Sequence, residues 1–150
     1  MKIVQCLLVV SVLLVSGCAP QEARMKVTSS GYPEGTFMNT SVAKVRNKLI
    51  AACDSHGIMV SESTENSVLC GKEMSGGDAV LAQVLIGNSY STTPRDKIRF
   101  TIYQAGKNVK VSGHEWIETQ MAFGQMHQVE LNGNNQFNSV QRMLNSLGAK

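Results

Sequence analysis

The chain has 150 residues and 16.2 kDa, room for one domain of ordinary size. With 43% hydrophobic and 17% charged residues and only 3 Pro, its composition excludes a disordered or collagen-like chain. A net charge of +3 is too small an excess to indicate nucleic acid as a partner, and aromatic residues at 5% leave the core to Val, Leu, Ile, Met and Ala.

The chain opens on Met1-Lys2, a short basic start, and Ile3 to Leu14 is apolar except for Gln5 and Ser11. At 1.5 Å per residue that run spans roughly 18 Å, short of the ~30 Å hydrocarbon core of a bilayer, so it reads as the apolar part of a secretory signal. Val15-Ser16-Gly17-Cys18 then sets two small residues before a cysteine. This segment resembles the lipobox of bacterial lipoproteins, with Val where Leu is commonest. The resemblance implies that residues 1–17 are a signal peptide cut before Cys18, that the Cys18 thiol carries diacylglycerol, and that the new amino group is acylated. Several acyl chains make such an anchor effectively permanent. By similarity to enterobacterial lipoproteins, Ala in place of Asp at position 19 implies the outer membrane, the inner membrane being the alternative. Loss of Lys2 leaves 13 basic and 11 acidic side chains.

Residues 18–39 lack a clean hydrophobic period and contain Pro20, Gly31, Pro33 and Gly35. They read as a flexible tether that would hold the domain roughly 25 Å from the bilayer. Lys26-Val27-Thr28 is the one stretch in it that suits a short edge strand. The domain is expected over 40–150. Thr40 or Ser41 caps a predicted helix over 41–55, in which Val42, Val45, Leu49, Ala52 and Cys53 share one face and Gly57 supplies the stop. Lys44, Arg46 and Lys48 make a solvated face that also suits anionic headgroups. Ile58–Glu62 and Asn66–Lys72 read as two strands around a polar turn. After the break at Met74-Ser75-Gly76-Gly77, Asp78 caps a short apolar helix through Leu85, although a run this short also fits a buried strand. Gly87–Asp96 is a loop. Ile98, Phe100 and Ile102 then alternate with polar neighbours, Ala105-Gly106-Lys107-Asn108 turns the chain, and a return strand runs from Val109 toward Met121. Met126–Leu131 suits one more strand, and Phe137, Val140, Met143 or Leu144, and Leu147 mark a last helix stopped by Gly148. Strands bounded by helices predict a two-layer α+β domain, with an antiparallel sheet of four to five strands and two long helices packed on one face.

Cys6 leaves with the signal and Cys18 takes the lipid, so Cys53 and Cys70 remain as a pair in an oxidising compartment. One lies on the inner face of the first helix and the other at an inward strand position, which predicts a disulfide.

Motifs for chemistry are sparse. His114-Glu115-Trp116-Ile117-Glu118 opens like a zinc-protease motif, but its fifth residue is Glu. In a strand, His114 and Glu118 share a face and Glu115 points oppositely, so no metal site is expected. Ser41-Val42-Ala43-Lys44 reads as a helix cap beside a solvated lysine, since the companion motifs of serine–lysine enzymes are absent. The carboxylates Glu62, Glu65, Glu73, Asp78, Asp96, Glu115, Glu118 and Glu130 are scattered and read as solvated surface. No catalytic residue and no cofactor motif is identified. Tyr103, Trp116, Gln120 and Phe123 form a candidate contact surface, unless a bulge near Gly113 turns Trp116 into the core. The expected function is that of a lipid-anchored, non-enzymatic periplasmic domain that contacts another envelope protein. A small-ligand or peptide-binding module is the alternative, and a hydrolase the third reading.

Overall fold

The structure, a computed structural model, describes residues 22–150. The proposed signal and Cys18 lie outside the described residues. In chain order the elements are β1 (Glu34–Phe37), α1 (Val42–Ser55), β2 (Met59–Ser63), β3 (Ser67–Glu73), α2 (Gly76–Ile86), β4 (Arg95–Ala105), β5 (Asn108–Gln120), a 3-10 turn (Ala122–Gly124), β6 (Met126–Glu130) and α3 (Asn134–Ser146). The strands form one 6-stranded antiparallel sheet in the order β1-β5-β4-β3-β2, with β6 also on β5. The fold is α+β, as the order of predicted elements implied.

Strand β5 is the spine. One edge pairs with β4 from Asn108 to Glu118. The other edge takes β1 over Val109–Ser112 and β6 over Trp116–Gln120. Two-residue alternation sends Val68 and Cys70, Ile98, Phe100 and Ile102, and Val109 and Val111 to one face. There they meet Val45, Leu49 and Cys53 of α1 and Val140 and Leu144 of α3. Burying each such side chain contributes about 1.5–3 kcal/mol. Gly57 ends α1 at φ +67°, a conformation costly for other residues, and lets the Ile58 N–H donate to the Cys53 carbonyl at 2.9 Å. Cys53 and Cys70 are joined across the core, with Cα atoms 6.3 Å apart.

The sheet has one more strand than the sequence suggested, because Glu34–Phe37, inside the expected tether, is β1. The segment before it is also bound. Asn138 of α3 is fully buried, donates to the Ala23 carbonyl at 2.8 Å and accepts from the Met25 N–H at 2.8 Å. Arg24 reaches the Asn132 carbonyl and Asn134 and lies over the Phe137 ring. Gln141, also buried, exchanges two hydrogen bonds with the Glu34 backbone. Residues 23–25 and Glu34 are therefore strapped to α3. The docking runs through single polar side chains on a helix, which leave no hydrophobic period to read. The last residue extends the same edge: Thr36 and Lys150 exchange N–H to carbonyl bonds of 2.9 and 3.0 Å.

Helix α3 crosses the sheet at Gly113, where a Cβ atom would stand 2.6 Å from Val140 Cγ1 and 3.4 Å from the Phe100 ring. Both neighbours are buried. Gly113→Ala is expected to cost about 1–3 kcal/mol by overpacking, read as a lower urea midpoint at unchanged m-value. An unchanged midpoint would contradict the contact.

Candidate functional site

Alternation along β4 and β5 places two carboxylates on the helix side of the sheet. Asp96 is in phase with Ile98 and Phe100, and Glu115 with Val111 and Gly113. The register pairs Asp96 with Ile117 and Ile98 with Glu115, so the two acids are diagonal neighbours. They floor a cleft of about 380 Å³ walled by Ile58, Ile98, Val140 and Met143, with His56 and Arg142 among its lining residues. The Glu115 carboxyl is pushed up to about 7 by burial, then by the Asp96 charge and the hydrogen bond between the two, against an opposing pull from Lys72. Asp96 is also raised by burial, although Lys72 and the bond from Glu115 oppose that. Below that raised value Glu115 is protonated and can donate to Asp96. Its Oε2 is enclosed and has no partner. With Glu115 titrating near neutral pH, the pair is able to accept N–H donors from a ligand or to move a proton. The His56 ring bonds to the Ala52 carbonyl at 2.8 Å and Arg142 pairs with Glu22 at 3.3 Å, so both have partners within the protein.

The opposite face of the sheet carries a row of aromatic and charged groups. Trp116 Nε1 donates to Glu118 Oε2 at 2.9 Å, Gln128 donates to the same oxygen at 3.1 Å, and Lys97 Nζ stands 2.6 Å from Glu118 Oε1. Burial would raise the Glu118 carboxyl, but these bonds and the Lys97 charge hold it below its ordinary value. The Arg99 guanidinium lies 5.6 Å from the Trp116 ring centre. The His114 ring is 5.5 Å from Trp116 and 4.8 Å from Tyr32, and its Nε2 is 3.1 Å from Glu130. Beyond this row Arg99, Thr101, Tyr103 and Lys110 are exposed.

A third feature lies at the end of the sheet where β5 finishes. Helix α2 buries Ala82 and Ile86 but leaves Val80, Leu81, Val84 and Leu85 60–76% exposed. The Ile86 carbonyl accepts from His127 of β6 at 2.8 Å. The following loop is tied to α2 by Gln83 and to β5 by a Thr92 N–H donating to the Gln120 carbonyl. Tyr90 in that loop is exposed, and Phe123, at φ +66°, is fully so. A bulky residue held in the left-handed region with its ring in solvent is an uncommon arrangement.

The four residues expected to form a contact surface do not form one. Trp116 is only 7% exposed. No bulge turns it inward, because β4–β5 pairing is continuous through Gly113. It stays on the outer face and is covered by long neighbours there. Tyr103, Gln120 and Phe123 are exposed. Tyr103 pairs with Lys110, so at about 3.3 Å per residue Gln120 lies roughly 33 Å further along β5. Asp96, Glu115 and Glu118 correct the reading of the acids as scattered surface: Glu118 is buried beneath Trp116, Lys97 and Gln128. The signal for the first two was their phase: each occupies an inward position of an alternating strand. His114 and Glu118 share the face opposite Glu115, as the strand reading required. Among the described residues no group of three or more His, Cys, Asp or Glu could hold a metal ion, and no helix is long and apolar enough to cross a membrane. No family model, no curated protein and no solved structure matches this chain.

Proposed function

We propose that the chain is a lipid-anchored bacterial envelope protein, held in the outer membrane through Cys18, whose domain faces the periplasm and works without catalysis by contact with another envelope protein. The observation that carries the contact role is the sheet face that no helix covers among the described residues, where Arg99, Tyr103 and Lys110 stand exposed on long paired strands beside an aromatic row. Tyr and Arg on a rigid support are the side chains that most often anchor protein interfaces. The Cys53–Cys70 bridge fits an oxidising compartment. A photo-crosslinker at Tyr103 in the intact envelope is expected to trap one envelope protein, and Arg99→Ala to weaken the adduct. No adduct at Tyr103, alongside strong ones from the helix side, would reverse the assignment.

The anchor has its own test. The wild-type protein is expected to take up clickable fatty acid and Cys18→Ser to take up none. Label retained by the variant would remove the anchor.

A second reading, a small-ligand or peptide-binding module, is favoured by the Asp96–Glu115 cleft and its unpartnered Glu115 oxygen. The same pair keeps a hydrolase as the third reading.

A further inference from the structure

The end of the domain built by α2, the loop after it and the turn after β5 differs from the rest of the surface. It exposes Val80, Leu81, Val84, Leu85, Tyr90 and Phe123, on segments tied to one another by the His127–Ile86 and Thr92–Gln120 bonds. It also lacks formal charge: none falls between Asp78 and Arg95, and only neutral residues and His127 fall between Glu118 and Glu130. The one amide on the exposed helix, Gln83, is already bonded to Asn88 and Ser91. A specific protein interface carries about one hydrogen bond per 100–200 Å², and this surface offers few groups to make them. An aliphatic helix flanked by aromatic rings is instead the composition that enters the boundary between headgroups and acyl chains.

The length of chain before the body keeps it close to the bilayer. The strap secures Ala23 and Met25 to α3, and Glu22 pairs with Arg142. From Cys18 to Glu22 an extended chain reaches about 14 Å, no more than the radius of gyration of about 14 Å expected for a body of this size. A domain on so short a leash stays against the bilayer, and its lowest-cost face toward lipid is the uncharged apolar one.

We infer that the apolar end formed by α2, Tyr90 and Phe123 is seated in the headgroup layer of the membrane that holds the anchor. This rests on the lipidation of Cys18. It leaves the exposed sheet face free for a protein partner.

The test uses the full lipidated protein in vesicles of phosphatidylethanolamine and phosphatidylglycerol, with and without bromine on the acyl chains. Single variants Leu81→Trp, Phe123→Trp and Tyr103→Trp report three places on the surface, and Trp116, buried in all of them, supplies a background to subtract. Emission from the first two is expected to shift to the blue and lose most of its intensity in brominated vesicles, while Tyr103→Trp is unchanged. Protein that sediments with the vesicles yet shows no quenching at Leu81→Trp and Phe123→Trp overturns the seating alone. Equal quenching at all three overturns it as well. Crosslinked dimers joined through the apolar end would assign that surface to a second copy and overturn it. Failure to sediment removes the anchor, and the inference with it.

Discussion

Replacing Cys53 and Cys70 together by Ala is expected to lower the unfolding free energy by about 3 kcal/mol, the loop-entropy value for a bridge of this span. The bond closes a separation of 17 residues and ties the inner face of α1 to β3. Both sulfurs sit in the core with no exposure, so the double variant also leaves a small unfilled space. Urea unfolding of the wild type with and without reductant should reproduce most of the same shift. The double variant should not respond to reductant at all. A wild type whose midpoint is indifferent to reductant, under conditions where free thiols are detected, would show that the bridge contributes nothing. The loss matters because a domain of this size has little stability to spare.

Glu115→Gln is expected to change the pH profile of stability rather than its value at one pH. The folded-state carboxyl stands at about 7 against an ordinary value of 4.5. A carboxyl raised on folding binds its proton more tightly in the native state. Its favourable contribution is therefore complete below the unfolded value and is lost as pH rises through the folded one. Wild-type stability should fall between about pH 5 and 8, and the amide variant should lack that fall. At 1.36 kcal/mol per pKa unit, the variant gains on the order of 2–3 kcal/mol over wild type at pH 8 and little at pH 4. The amide can still donate to Asp96, so the pair's geometry survives. Asp96→Asn should lower the Glu115 value by removing the neighbouring charge. Unfolding curves from pH 4 to 9 decide the matter: a constant offset between Glu115→Gln and wild type would mean that Glu115 does not titrate in this range.

Much of the architecture could be read from side-chain periods. α1 has a clear three-and-four stripe and occupies Val42–Ser55, against an expected 41–55. The β4–β5 hairpin follows from alternation around Ala105–Asn108, and its two strands pair almost throughout. β1 was invisible because Glu34-Gly35-Thr36-Phe37 is too short to show a period, and its partners, Val109–Ser112 and Lys150, lie far along the chain. Gly35 is read locally as a loop residue, yet a Cβ there would meet Ala149 at 2.5 Å. Trp116 shows another limit. Alternation places it on the outer face correctly, but its cover is supplied by Arg99 of β4 and by His114 and Glu118, two residues to either side on its own strand. The acid pair needed cross-strand register, which no local pattern contains. The apolar character of α2 was legible, but its exposure was not, since an aliphatic run reads as core until the sheet is seen to leave it uncovered.

The strap has a consequence for the order of assembly. Ala23, Met25 and Glu34 find their partners on Asn138 and Gln141, and Thr36 finds Lys150. If the polypeptide enters its compartment amino end first, Ala23 and Met25 must wait for their α3 partners, although β1 can pair with β5 before then. Joining this segment to α3 is a non-local closure of the kind that slows folding. Until β1 pairs with it, the edge of β5 over Val109–Ser112 stands open to chaperones, proteases and neighbouring chains.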